Sequence, residues 1–202
     1  AACAGFLYGM KTAHALLSGA PRPYALLVGC EVISRVMDMT DRNTCVLFGD
    51  GAGAAVLRRD EEASWYTVFG SRGDPESIRV QGPGPVPSAV HMEGKAVFRF
   101  AVEVVEQSIR QLLAEEGCAV NDLDLVVRHQ ANARIIDHVA KKLKAREGLF
   151  YKNMERYGNT SAASIPIALD ELAEQGALKA GMRVLTVGFG GGLTWAGALF
   201  RW

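Results

Sequence analysis

The chain has 202 residues, 22 basic against 22 acidic side chains and no net charge, so the surplus of positive charge typical of a general nucleic-acid binder is absent. Hydrophobic residues make up 49% and charged residues 22%, a globular balance that excludes wholesale disorder. No apolar run approaches the roughly 20 residues of a membrane-spanning helix, which argues against a membrane protein. Four cysteines at positions 3, 30, 45 and 118 include no CxxC pair. That spacing points away from a disulfide framework or a zinc site and toward a reducing, cytoplasmic compartment. The chain opens at Ala1-Ala2-Cys3 without Met or a basic leader, and reads like the middle of a protein.

In chain order, Phe6, Leu7, Met10, Ala13 and Leu17 recur at helical spacing and predict a helix over Ala4–Ser18, with Gly19 as its stop. Pro21 and Pro23 mark a turn, and Tyr24–Gly29 is a continuous apolar run expected to be a strand buried on both faces. Thr44–Phe48 and Ala52–Leu57 read as strands around a Gly49-Asp50-Gly51 turn. Ser71–Pro87, rich in Gly and Pro, reads as an irregular loop or loose hairpin. A long helix is expected over Glu93–Glu116, a strand over Asp124–Arg128 and a helix over Asn132–Lys144. A helix over Ser161–Gln175, capped at Thr160 or Ser161, then leads to strands Met182–Phe189 and Leu193–Phe200 around the turn Gly190–Gly192. Val46–Arg58 and Val187–Arg201 echo one another as strand, Phe-Gly-x-Gly turn, small-residue strand and Arg, which suggests a duplicated α/β half.

Four features could carry chemistry. Cys3 stands before an apolar helix, where free backbone N–H groups and the helix dipole favour a thiolate, although a lone Cys also serves as a small buried hydrophobe. His129 ends a strand, where ligand-binding residues of open α/β sheets gather. Asn159 sits at a helix entrance and reads equally as an N-cap or turn residue. Gly188–Gly192 joins two apolar strands and could bring backbone N–H groups to a ligand oxygen. Together a thiol at a helix start, a His, an Asn and a Gly-rich turn specify acyl transfer on sulfur. Gly49–Gly53 is a weak match to a dinucleotide loop, lacking an acidic residue at an obvious strand end beyond it. His14, His91 and His138 share no metal-ligand spacing, and Cys30, Cys45 and Cys118 read as core or surface filler.

The motifs Ala2-Cys3-Ala4-Gly5-Phe6, His129-Gln130-Ala131-Asn132, Gly158-Asn159-Thr160-Ser161-Ala162-Ala163-Ser164 and Phe189-Gly190-Gly191-Gly192-Leu193-Thr194-Trp195 resemble the β-ketoacyl-acyl carrier protein synthase III family of the thiolase superfamily, in the family's order. The resemblance runs from Ala1 to Trp202. It implies a layered αβαβα fold of two duplicated halves with the first half truncated: residues 1–60 the remainder of the N-terminal half with the nucleophile, residues 61–202 the C-terminal half. It implies Cys3 as nucleophile with His129 and Asn159 as partners, and an oxyanion hole from the backbone of Cys3 and Gly191. It implies coenzyme A contacts at Arg42, Asn132 and Arg134, and carrier-protein docking at Arg99, Lys141 and Lys142. The implied reaction condenses an acyl-coenzyme A substrate with malonyl-acyl carrier protein in a homodimer, with no metal and no resident cofactor. The alternatives are a related enzyme of polyketide or alkylquinolone synthesis, and a non-catalytic paralogue that binds acyl carrier protein. Arg128 stands where the family often has Pro, and Lys95 where it has Asn.

Overall fold

The computed structural model describes residues 1–80 and 89–202. A short 3₁₀ turn, Ala2–Ala4, runs into α1 (Gly5–Leu17), which is followed by β1 (Tyr24–Glu31), β2 (Gly51–Arg58), β3 (Trp65–Ser71), β4 (Ile78–Val80) and β5 (Val90–Met92). The remaining elements are α2 (Gly94–Glu116), β6 (Leu125–Arg128), α3 (Ala133–Lys142), α4 (Met154–Tyr157), α5 (Ser164–Glu174), β7 (Arg183–Gly190) and β8 (Thr194–Arg201).

β1 and β2 pair antiparallel as a two-stranded sheet, with Leu26 opposite Val56 and Gly29 opposite Gly53. A second sheet has the order β3-β8-β7-β6, antiparallel except for the parallel β6–β7 pair. α1 and α5 lie between the two sheets. Their Phe6, Leu7, Met10, Ile165 and Leu169 form one core with Leu125, Val127 and Val184, and Leu27, Ala55 and Leu57 press on it from the small sheet. α2 and α3 cover the opposite face of the larger sheet, where Phe100, Val104, Ile109, Leu112, Ile136 and Val139 meet Val126, Leu185, Val187 and Leu199. The order is thus sheet, helices, sheet, helices, four of the five layers expected. The alternation along β6 explains how one strand serves two cores: Leu125 and Val127 face α1 and α5, and Val126 faces α2 and α3.

Several expectations are corrected. β1 is not buried on both faces: Leu26 and Val28 are 69% and 55% exposed, as is Val56 at 69% beside them, because helices cover only one side of this sheet. Thr44–Phe48 is not a strand. Asp41 accepts from the Asn43 backbone N–H and the Thr44 hydroxyl, and its carbonyl accepts from the Thr44 and Cys45 N–H groups, so the segment coils into turns and pairs only at Phe48, with Asn159. The helix expected from Ser161 begins as a 3₁₀ turn, Ser161–Ala163, and neither the Thr160 nor the Ser161 hydroxyl caps it; the Asn159 side-chain Oδ1 accepts from the Ser161 N–H at 2.9 Å. The strand β3 went unread. Within the Gly- and Pro-rich stretch Ser71–Pro87, β4 pairs antiparallel with β5, and the rest of that expectation, residues 81–88, lies outside the described residues.

Candidate active site

Cys3, His129 and Asn159 arrive from three places and line one cavity of about 500 Å³, together with Phe100, Asn132, Phe189 and Gly190. Cys3 also lines a second pocket of about 380 Å³ with Ile33, Val36, Phe48 and Ile78, so the sulfur stands where two hollows meet.

Cys3 is held by the glycine-rich turn. A side chain on Gly190 would place its Cβ 2.6 Å from the Cys3 backbone nitrogen, so only glycine lets the end of β7 approach the nucleophile. The Thr194 hydroxyl, just past the turn, donates to the Ala1 carbonyl at 2.9 Å and ties the two segments together. Gly191 lies beside Ala2, which brings both expected oxyanion-hole residues to the same place. Ala2 and Ser161 both hold positive φ, at 43° and 52°, an uncommon conformation for non-glycine residues and one that clusters at active sites. Burial pushes the Cys3 thiol up to about 11. The expected resting thiolate is therefore corrected to a thiol: loss of water around the sulfur outweighs the helix start.

His129 continues β6, its N–H bonded to the Val187 carbonyl at 2.9 Å, and its ring stands edge-on to Phe189 with centroids 5.5 Å apart. Nδ1 lies 2.7 Å from the Ser164 hydroxyl, which also accepts from the Gln130 N–H at 3.4 Å. The tautomer in which the Ser164 hydroxyl donates to Nδ1 carries its hydrogen on Nε2. Burial, followed by the neighbouring Arg128 charge, lowers the imidazole to about 3, so the ring is neutral and a donor.

Asn159 is clamped by its backbone: its N–H donates to the Leu47 carbonyl at 2.8 Å and its carbonyl accepts from the Gly49 N–H at 3.0 Å. Because Oδ1 is occupied by the Ser161 N–H, only Nδ2 remains to meet a ligand. Two neutral donors, His129 Nε2 and Asn159 Nδ2, thus border the cavity that holds the sulfur. Such a pair suits an oxygen on which negative charge develops.

The other expected residues divide. Asn132 lines the cavity and caps α3, its Oδ1 accepting from the Arg134 N–H at 2.9 Å. Arg42 and Arg134 are exposed and do not line it, whereas their neighbours Asn43 and Asn132 do. Lys95 lines it also. Arg99 and Lys141 are exposed, but Lys142 is ion-paired with Glu106 at 2.5 Å across α2 and α3. Arg128 is fully buried with no hydrogen-bond partner for its guanidinium among the described residues, and burial brings it down to about 9. His14 stacks on Trp65 and His138 stands edge-on to Phe98. Among the described residues no group of three His, Cys, Asp or Glu side chains could hold a metal ion. Cys30 is exposed on the outer face of β1, and Cys45 and Cys118 are partly buried. Sequence reasoning named Ser161 as a possible helix cap and Ser164 only within a motif, and gave neither a role in the site. Glu31, whose Oε1 accepts from the Ser161 hydroxyl at 3.1 Å, it did not single out; an acidic residue at the end of an apolar strand was the available signal.

Two family descriptions match the chain: 3-oxoacyl-[acyl-carrier-protein] synthase III over residues 1–73, and the C-terminal part of the same family over residues 113–202. The whole chain is 43% identical to β-ketoacyl-[acyl-carrier-protein] synthase III of Clostridium beijerinckii and spans 66% of that relative's length. Among solved structures it superposes over its full length on 65% of the 3-oxoacyl-(acyl carrier protein) synthase III of Pseudomonas aeruginosa PAO1, with a TM-score of 0.94 and 39% identity. The priming β-ketosynthase of the R1128 polyketide biosynthetic pathway matches 99% of the chain over 64% of its own, with a TM-score of 0.91 and 38% identity.

Proposed function

The chain belongs to the 3-oxoacyl-[acyl-carrier-protein] synthase III family, and on that premise we propose that it carries the reacting centre of a condensing enzyme that joins an acyl-coenzyme A to malonyl-acyl carrier protein. The observation that carries this reading is the convergence of Cys3, His129 and Asn159 on one cavity, with the two partners each left a single free donor.

The Cys3 sulfur attacks the acyl thioester and keeps the acyl group. The backbone N–H groups of Cys3 and Gly191 stabilise the tetrahedral oxyanion as the coenzyme A thiolate leaves. Malonyl thioester then enters the same cavity. Loss of CO2 leaves an enolate, and His129 Nε2–H and Asn159 Nδ2–H donate to its oxygen while its carbon attacks the acyl group on Cys3. A His kept neutral suits this task, because it donates to the developing charge without surrendering its proton. Arg42, Asn132 and Arg134 would meet the coenzyme A donor. Arg99 and Lys141 would meet the acidic carrier protein, with Lys142 contributing less because Glu106 already holds it. A second copy of the protein would complete a homodimer. The likeness to a priming ketosynthase of polyketide synthesis keeps a starter-unit role in secondary metabolism as the second reading.

Incubation of the intact protein with acetyl-coenzyme A and peptide mass spectrometry tests the first half-reaction. Acetyl on Cys3 is expected; a label elsewhere with Cys3 free sinks the assignment. His129→Ala and Asn159→Ala should abolish malonyl decarboxylation and still permit Cys3 acylation. Variants that acylate no faster than Cys3→Ala would show that both partners have been given the wrong half-reaction.

A further inference from the structure

A Cys3 thiol must lose its proton as its sulfur bonds to an acyl carbon, and the residues around it differ sharply in their ability to receive one. His129 is poorly placed to do so: in the tautomer where Ser164 donates to Nδ1, that nitrogen is occupied and Nε2 already carries hydrogen. The Ser161 hydroxyl, by contrast, lines the second pocket beside Cys3 and donates to Glu31 Oε1 at 3.1 Å. The same carboxylate oxygen accepts from the Ala162 N–H at 3.4 Å, which fixes it against the turn. Ser161 holds its left-handed φ of 52° at this point, an unfavourable conformation maintained where its hydroxyl meets the Glu31 carboxylate beside Cys3. Glu31 ends β1 and is half-buried. The titratable groups around the sulfur are Glu31, the Ala1 amino group and His129 across the cavity, and of these only Glu31 accepts from the Ser161 hydroxyl.

We propose that Glu31, working through the Ser161 hydroxyl, receives the Cys3 proton during acyl transfer. The S–H bond breaks as its proton passes to Ser161 Oγ, and the Ser161 O–H proton passes to Glu31 Oε1. The sulfur electron pair forms the new C–S bond, and the old thiolate leaves with the pair of the bond that breaks. Glu31 then returns its proton to solvent. Ser161 touches the reacting atom and is catalytic, whereas Glu31 acts through it.

The inference rests on Cys3 being the nucleophile but not on the identity of the acyl donor, so iodoacetamide is the probe. Labelling of Cys3 in the intact protein is followed by peptide mass spectrometry at neutral and alkaline pH, with the exposed Cys30 resolved on its own peptide. Glu31→Gln and Ser161→Ala should each slow Cys3 labelling at neutral pH on the order of 100-fold, the low end of general-base assistance. The double variant should be no slower than the slower single one, since the pair acts as a unit. Alkaline pH should close the gap by ionising the thiol directly, and Glu31→Asp should recover part of the neutral rate. Wild-type labelling by Glu31→Gln at neutral pH overturns the relay. So does a deficit of the same size at both pH values, which marks a merely structural role. Acetyl-coenzyme A leaving Cys3 unlabelled while the iodoacetamide results hold would overturn the proposed function and leave the relay standing.

Discussion

At the level of single residues, the site works by occupying one half of each polar side chain so that the other half has one possible use. Asn159 read from sequence as either a cap or a site residue, and both readings hold for different atoms: Oδ1 takes the Ser161 N–H, and Nδ2 is left for a ligand. Sequence could suggest the residue but not the division, which depends on the turn that Ser161 makes after it. Ser164 shows the same limit, since its contact with His129 spans 35 positions. Ser164→Ala should free Nδ1 to take the proton and turn Nε2 into an acceptor. Malonyl decarboxylation is expected to fall roughly 100- to 1,000-fold, as for a lost oxyanion donor, with iodoacetamide labelling of Cys3 little changed. Equal loss in both assays would assign Ser164 to packing. The depressed His129 value also sets a pH dependence of stability. Its folded value of about 3 lies below the roughly 6.5 of an unfolded imidazole, so between the two the unfolded chain binds a proton that the folded one does not. This contribution is whole above about pH 6.5 and is lost as pH falls toward 3. The urea midpoint should therefore drop between pH 7 and about pH 5, and His129→Asn should flatten that drop. An identical slope in the variant would place the acid sensitivity elsewhere.

At the level of elements, hydrophobic period identified the helices and the central strands well because long segments with one covered face leave a plain pattern. It failed where a short local bond competes with pairing. Thr44–Phe48 has strand composition, yet Asp41 supplies nearby backbone and hydroxyl donors with an acceptor at once, and the chain coils. The result is useful to the site, because the coiled segment presents the Leu47 carbonyl and Gly49 N–H that clamp Asn159. Trp65–Ser71 was legible in principle, its Trp, Tyr, Val and Phe being strong strand formers. The Gly190–Gly192 turn was legible as a candidate, but not its reason: β7 must come within contact of the Cys3 backbone. Gly190→Ala is expected to push the nucleophile aside and slow its acylation on the order of 100-fold, the effect of a displacement near 1 Å. The thermal midpoint should change far less, since the turn lies at the end of the sheet. A variant that acylates normally would show that the Cys3 segment tolerates the shift.

At the level of the whole molecule, the two sheets are not equally covered. The larger one has helices on both faces, whereas the β1–β2 pair has α1 and α5 on one face and presents Tyr24, Leu26, Val28 and Val56 on the other. Sequence reasoning took the apolar run Tyr24–Gly29 as a strand wanting cover on both sides, and the composition supports that requirement even though this chain meets it on one side only. A contiguous apolar face on a two-stranded sheet is both unstable and adhesive. Residues 1–202 expressed by themselves should accordingly self-associate and show little condensing activity even with Cys3, His129 and Asn159 in place. Leu26 and Val56 are direct cross-strand neighbours, so Leu26→Lys with Val56→Glu puts an opposite-charge pair on that face without removing a contact from the inter-sheet core. Sedimentation velocity of the two forms side by side decides the matter. Association that weakens in the charged double variant locates the adhesive surface on β1 and β2. A monomeric, cooperatively unfolding and active wild-type chain would show that the helices between the sheets hold the nucleophile unaided.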